Sequence, residues 1–118
     1  MHDQFLNNWT TQIRKGLLDL CVLNAVACRK MYGYDIVRTL RQIEGLIISE
    51  GTIYPLLSRL SRDGLVQSSL VKSNEGPARK YYELTGLGRR IRQQMNISWE
   101  TIVQGISRIQ TNQTSETN

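Results

Sequence analysis

Histidine is nearly missing from this 118-residue chain, with His2 the single one, and that scarcity removes whole classes of chemistry. No Ser, His and Asp arrangement can be drawn around one imidazole beside the first residue. Neither a glycine-rich phosphate loop nor a paired-carboxylate motif occurs. An enzyme is therefore not expected. Cysteine is scarce too. Cys21 and Cys28 fall in one apolar helical stretch, roughly 10 Å apart along its axis at ~1.5 Å per residue. A disulfide needs Cα atoms within ~7 Å, so the two cannot bridge. With His2 they make no metal site, so no metal and no cofactor is expected. The thiols read as small apolar core residues in a reducing compartment. Long hydrophobic runs are also lacking. The most apolar window, residues 17–28, is broken by Asp19 and Asn24 and falls short of the ~20 residues that cross a bilayer. The opening MHDQFLNNWT lacks the basic region and apolar run of a secretion signal. The expectation is a cytoplasmic protein with no membrane partner.

What the chain does have is positive charge and helical pattern. Fifteen Lys and Arg against ten Asp and Glu give a net charge of +5, which favours an anionic partner such as a nucleic acid. Residues 12–28 are apolar on nearly every side after Gly16, the mark of a helix surrounded by protein. A second helix is expected over 32–44, where Tyr32, Ile36, Leu40 and Ile43 share a stripe and Arg38 and Arg41 lie opposite. Gly45 reads as a stop and Ser49 as the cap of a third helix over 50–63, which buries Ile53, Leu56, Leu57 and Leu60. Its other side carries Gly51, Pro55, Ser58 and Arg62, flanked by Thr52, Tyr54 and Arg59. Pro55 removes a backbone bond to Gly51, so a bend is expected there.

After Gly64 the period changes. Residues 65–72 and 79–84 read as two short strands around the turn SNEGPA. A lone hairpin is marginal, so it must lean on the helices. Thr85 can cap a fourth helix that reaches about residue 110, with Ile91, Met95, Trp99, Ile102, Ile106 and Ile109 at spacings of three and four. A stripe of that length outruns a small domain, and a second copy of the chain is its economical partner. The tail, residues 111–118, is rich in Thr, Asn, Ser and Gln and reads as disordered.

The fold class is therefore mainly α with a small β-hairpin (α+β). A winged helix-turn-helix over 9–84 is followed by a dimerisation helix over 85–110. In that layout the third helix enters the major groove of double-stranded DNA and the hairpin touches the adjacent backbone. Arg59 and Arg62 can bind guanine bidentately, while hydroxyls of Ser49, Thr52, Tyr54 and Ser58 set register on phosphates. Gly51 and Pro55 shape the end of the helix that meets the duplex. Tyr34 and Arg38 on the second helix, and Arg79 and Lys80 on the wing, complete the candidate contacts. Arg89, Arg90 and Arg92 read as further phosphate contacts or as a solvated helix surface. In the second strand Tyr82 and Leu84 share one face and Tyr81 and Glu83 the other, so the aromatic pair reads as packing.

Four blocks in order, RKGLLDLCVL within residues 12–28, MYGYDIVRTL, SEGTIYPLLSRLSRDGLV and GPARKYYELTGLG, resemble the PadR family of bacterial transcriptional regulators over residues 9–99. The resemblance implies a homodimeric repressor joined through the last helix. It also implies a palindromic operator and release by a small aromatic or hydrophobic effector. In some similar short members a tryptophan on that helix lines a ligand cavity, and Trp99 occupies the corresponding block. Ser98 and Gly105 interrupt the stripe here, and on the residues alone Trp99 reads as dimer packing. Two rivals stay open: a winged helix used only for protein contact, and an aromatic-drug sensor built on Trp99.

Overall fold

The computed structural model describes residues 2–116, with side-chain surroundings through Thr111. Its elements run in the order α1 (His2–Cys28), β1 (Met31–Tyr32), α2 (Gly33–Arg41), α3 (Glu50–Arg62), β2 (Val66–Ser73), β3 (Gly76–Leu84) and α4 (Gly86–Glu116). One apolar cluster holds them together. Leu23 of α1, Ile36 and Leu40 of α2, Ile53, Leu57 and Leu60 of α3, and Val66 of β2 are all but fully buried in it, with Leu84 of β3 alongside. Complete burial of such side chains stabilises by about 1.5–3 kcal/mol each, so this cluster fixes how the helices are turned.

Turn chemistry sets the boundaries. Gly45 and Gly64 are the two described residues with positive φ, 87° and 78°, a conformation open to glycine at no steric cost. At Gly64 the end of α3 closes as a Schellman motif: the Leu65 amide donates to the Leu60 carbonyl at 3.0 Å and the Gly64 amide to that of Ser61 at 3.1 Å. At α4 the Thr85 hydroxyl accepts from the Gly88 amide at 2.9 Å and donates to the Gly64 carbonyl at 2.6 Å. The cap therefore also ties α4 to the end of α3.

Several sequence expectations need correction. The first helix begins at His2 rather than near residue 12, because nothing before Gly16 breaks a helix and Asp3 favours its first turn. The second helix ends at Arg41, three residues early, and 42–45 form tight turns instead. The hairpin is joined by a third strand: β1 pairs antiparallel with β3, Met31 opposite Tyr82 and Tyr32 opposite Tyr81, in the order β1-β3-β2. Two residues are too few to show a period. The tail expected to be disordered is helical as far as Glu116, since 111–116 contains neither Gly nor Pro; 117–118 lie outside the described residues. Cys28 is exposed where α1 ends, and only Cys21 is partly buried. Ser49 occupies the cap position of α3 with φ −131° and ψ 156°, but its hydroxyl makes no capping bond. It meets the Thr52 hydroxyl at 3.1 Å instead. Helix α3 runs unbroken through Pro55.

Gly88 is the tightest joint. A Cβ there would overlap the Leu65 carbonyl. Gly88→Ala is expected to destabilise by at least about 2 kcal/mol and lower Tm by several degrees in a thermal melt. Gly86→Ala, where a Cβ meets nothing within 4 Å, should leave Tm unchanged or slightly raised.

Candidate nucleic-acid interface

With Ile53, Leu56, Leu57 and Leu60 buried, a helix turning about 100° per residue must point Gly51, Pro55, Ser58 and Arg62 outward. All four are exposed. The remaining sequence-predicted residues of α3 lie on its two flanks and have different surroundings.

On the α1 side, Thr52 and Arg59 border a groove of about 350 Å³ that Pro55 and Arg62 also line, shared with Lys15, Leu18 and Asp19. Arg59 is not free in it. Its Nη2 donates to Asp19 Oδ1 at 2.7 Å, and its Nη1 lies 4.0 Å from Asp63. On the opposite flank the Tyr54 ring lies against Gly33 so closely that a Cβ on Gly33 would overlap it. Helix α3 is thereby joined to the start of α2, where Tyr34 and Arg38 stand exposed.

From Gly33 the surface continues as a row of rings and cations. The Arg38 guanidinium lies 5.9 Å from the Tyr34 ring centroid, and Tyr34 is 6.3 Å from Tyr32. Tyr32 meets Tyr81 at 5.6 Å and carries Arg79 over its face at 4.8 Å, and Lys30 stands 5.7 Å from the Tyr81 ring. Strand register explains the grouping: Tyr32 opposes Tyr81 on β3, and Arg79, two residues from Tyr81, falls on the same face. Lys80 falls on the other face with Tyr82, so the two wing cations expected to act together point apart. A tyrosine face holds a cation for about 0.5–1 kcal/mol at exposed sites without cancelling its charge. Arg38, Arg79 and Lys30 therefore keep a full positive charge, whereas Asp19 cancels that of Arg59.

The sequence pattern puts Tyr32 on the stripe of the second helix and gives Lys30 no role, whereas Tyr32 lies in β1 ahead of α2. The run KMYGY is the signal, aromatics beside a cation just ahead of a helix. Of the basic residues on α4, Arg92 is engaged, donating to Asn24 Oδ1 at 2.7 Å in a cluster where the Asn24 and Asn96 amides also bond each other. The α4 stripe divides. Ile91 and Met95 are half-buried against this chain's own helices, while Trp99 is 40% and Ile106 58% exposed, with Ile102 and Ile109 similar. Phe5, Leu6 and Trp9 on α1 are likewise exposed, which the late start expected for α1 had hidden. Trp99, Ile102, Met95, Leu17 and Leu20 line an open groove of about 400 Å³ between α1 and α4. Among the described residues no group of three His, Cys, Asp or Glu side chains could hold a metal ion, and no helix is long and apolar enough to cross a membrane.

The transcriptional regulator PadR-like family model matches residues 22–94. A PadR family transcriptional regulator from Eggerthella lenta is 29% identical, with TM-score 0.80 over 92% of this chain and 94% of that one. A PadR-like transcriptional regulator from Bacillus cereus is 33% identical, with TM-score 0.76 over 83% of this chain and 95% of that one. Bacillus subtilis PadR, solved in complex with operator DNA, is 23% identical and has TM-score 0.63, covering 69% of this chain and 46% of that one. The arrangement of α2, α3 and the β2–β3 wing is a winged helix-turn-helix, and the chain belongs to the PadR-like family of transcriptional regulators.

Burial pushes the Tyr82 phenol above the ordinary tyrosine value of 10.0. Burial does the same for Tyr54, with the Glu50 carboxylate and Tyr32 adding to it. A raised pKa means the folded chain keeps these protons longer than the unfolded one does, so their stabilisation is present below about pH 10 and is lost as pH rises further. Urea midpoints should hold level to pH 9 and fall above pH 10, and Tyr82→Phe should remove part of the fall. A midpoint unchanged up to pH 11 would contradict the burial of the Tyr82 phenol.

Proposed function

We propose that the chain represses transcription as a cytoplasmic homodimer bound to a palindromic operator, and that it is a binding protein, not an enzyme. The observation that carries this reading is the outward face of α3. Gly51 and Pro55 give it a low profile, Ser58 and Arg62 offer donors, and the tyrosine-braced cations Arg38 and Arg79 lie beyond its Tyr54 flank. A smooth ridge with a few donors suits base edges, and uncancelled cations beside it suit phosphates. The fold shared with Bacillus subtilis PadR, which was solved on operator DNA, supports the same assignment.

In this reading Arg62 and Ser58 face the bases. Thr52, Tyr54, Tyr34, Arg38, Arg79 and Lys80 hold the backbone on either side. The dimer is supported by the exposed Trp99, Ile102, Ile106 and Ile109 of α4, a row too apolar to stand in water. Phe5, Leu6 and Trp9 of α1 offer the partner a second apolar strip. A small aromatic or hydrophobic effector fits the open groove beside Trp99. There it would alter the spacing of the two recognition helices, which must match successive major grooves.

Selection of duplexes from a random pool tests the proposal: an inverted repeat is expected, and recovery of no preferred sequence would sink it. On the selected duplex Arg62→Ala should cost about 1–3 kcal/mol, and far less on random DNA. Lys80→Ala should weaken both alike and reduce the slope of log affinity against log salt by about one.

A further inference from the structure

We infer that Arg59 is not a DNA contact but a positioning residue: through Asp19 it sets the pitch at which the recognition helix leaves the body of the protein. The inference rests on the DNA-binding reading above and goes beyond it by removing from the contact surface the arginine that the sequence pattern favoured.

Three observations carry it. The first is direction. Arg59 stands about 100° around α3 from Ser58 and shares with Thr52 the flank beside α1, in a groove whose lining also includes Pro55 and Arg62 of the outward ridge. The second is the bond itself, 2.7 Å from Arg59 Nη2 to Asp19 Oδ1. Asp19 is the less exposed partner, its side chain 30% accessible against 44% for Arg59. For Arg59 to take a phosphate it would have to release this carboxylate, and the bare Asp19 would then repel the backbone it faced. The third is the space between the helices. A groove of about 350 Å³ opens between Lys15, Leu18 and Asp19 of α1 and Thr52, Leu56 and Arg59 of α3. The polar part of this flank is therefore not filled by packed side chains, while Leu18 and Leu56 belong to the core contacts. Among the described residues the Asp19–Arg59 pair is the one polar tie across it.

The place of Asp19 on α1 gives the tie a purpose. Gly16, Leu17 and Leu20, within the same turn, line the groove shared with Met95 and Trp99 of α4. One turn of α1 therefore touches the last helix on one side and holds the recognition helix on the other. The angle of α3, and with it the simultaneous fit of Ser58 and Arg62 to bases, follows from how that turn sits.

The two roles for Arg59 predict opposite signs for one variant. Asp19→Asn keeps the shape of the side chain and removes its charge. If Arg59 positions α3, operator affinity should fall roughly tenfold, the scale of a lost base contact. Random-duplex affinity should stay within about twofold, and the salt slope should not change. If Arg59 is instead a DNA contact restrained by Asp19, releasing it should tighten binding to both duplexes and steepen the slope by about one; that result would overturn the inference. The exchange of Asp19→Arg with Arg59→Asp gives an independent check. Restored operator affinity supports positioning, since an aspartate at 59 cannot bind phosphate, and a loss beyond that of either single change contradicts it. Melting temperatures of the full-length variants show whether each is folded. An exposed ion pair contributes little to stability, so Asp19→Asn should melt within a few degrees of the parent. A parent chain that selects no duplex would fail the DNA-binding reading itself. A parent that selects one while Asp19→Asn binds it equally well would fail this inference alone.

Discussion

The structure depends on the burial of one side of α3. Ile53, Leu57 and Leu60 are at most 1% exposed, in a cluster with Leu23, Ile36, Leu40, Val66 and Leu84. These positions recur at three and four residues, so their burial leaves a single rotation of the helix about its axis. Everything on its outer face is a consequence. Gly51, Pro55, Ser58 and Arg62 point outward because they lie opposite the buried stripe, with Thr52, Tyr54 and Arg59 on the flanks. Removing one buried leucine would cost several kcal/mol and would also leave the presentation of that face undefined.

Electrostatics then sort the basic residues, which net charge alone treats as equivalent. Arg59 has a carboxylate at 2.7 Å, and Arg92 is held by Asn24. Arg38, Arg79 and Lys30 lie against tyrosine faces. The first kind of partner cancels or restrains a cation, and the second orders it while leaving its charge available. A surface that binds an anion needs the second kind, and the protein collects it along α2, β1 and the base of the wing. The cost of the tyrosines is small, because they also serve as sheet pairs: Tyr32 and Tyr81 face each other across β1 and β3.

Much of this was legible from the sequence. The stripe of α3, the stop at Gly64, the Thr85 cap and the alternation of Tyr81 and Tyr82 all follow from local rules, and the structure has them. Gly45 has the positive φ of a turn, but α2 has already ended at Arg41. What was not legible depends on contacts between distant residues. Asp19 and Arg59 are forty positions apart, and nothing in the pattern of α3 says that the flank carrying Arg59 lies beside α1. Strand β1 exists because β3 offers it an edge, not because two residues have a strand-like period. The early start of α1 was missed for another reason: residues 2–11 are polar enough to resemble a frayed end. Their apolar members, Phe5, Leu6 and Trp9, stand exposed and take no part in the core cluster.

The extended shape follows from the same division. The body formed by α2, α3 and the sheet is small, and the ends of α1 and α4 carry exposed apolar side chains beyond it, giving extents of 64 × 34 × 22 Å. The body bears the charged face and the helical arms bear the apolar one, so the two faces can serve different partners. The most direct test of this account is the amide NMR spectrum of the full chain titrated with its selected duplex. The account predicts that shifts concentrate in residues 50–62 and along 30–38 and 76–82, with Trp99 and Ile106 little changed. Shifts centred on α4, with α3 left undisturbed, would contradict it.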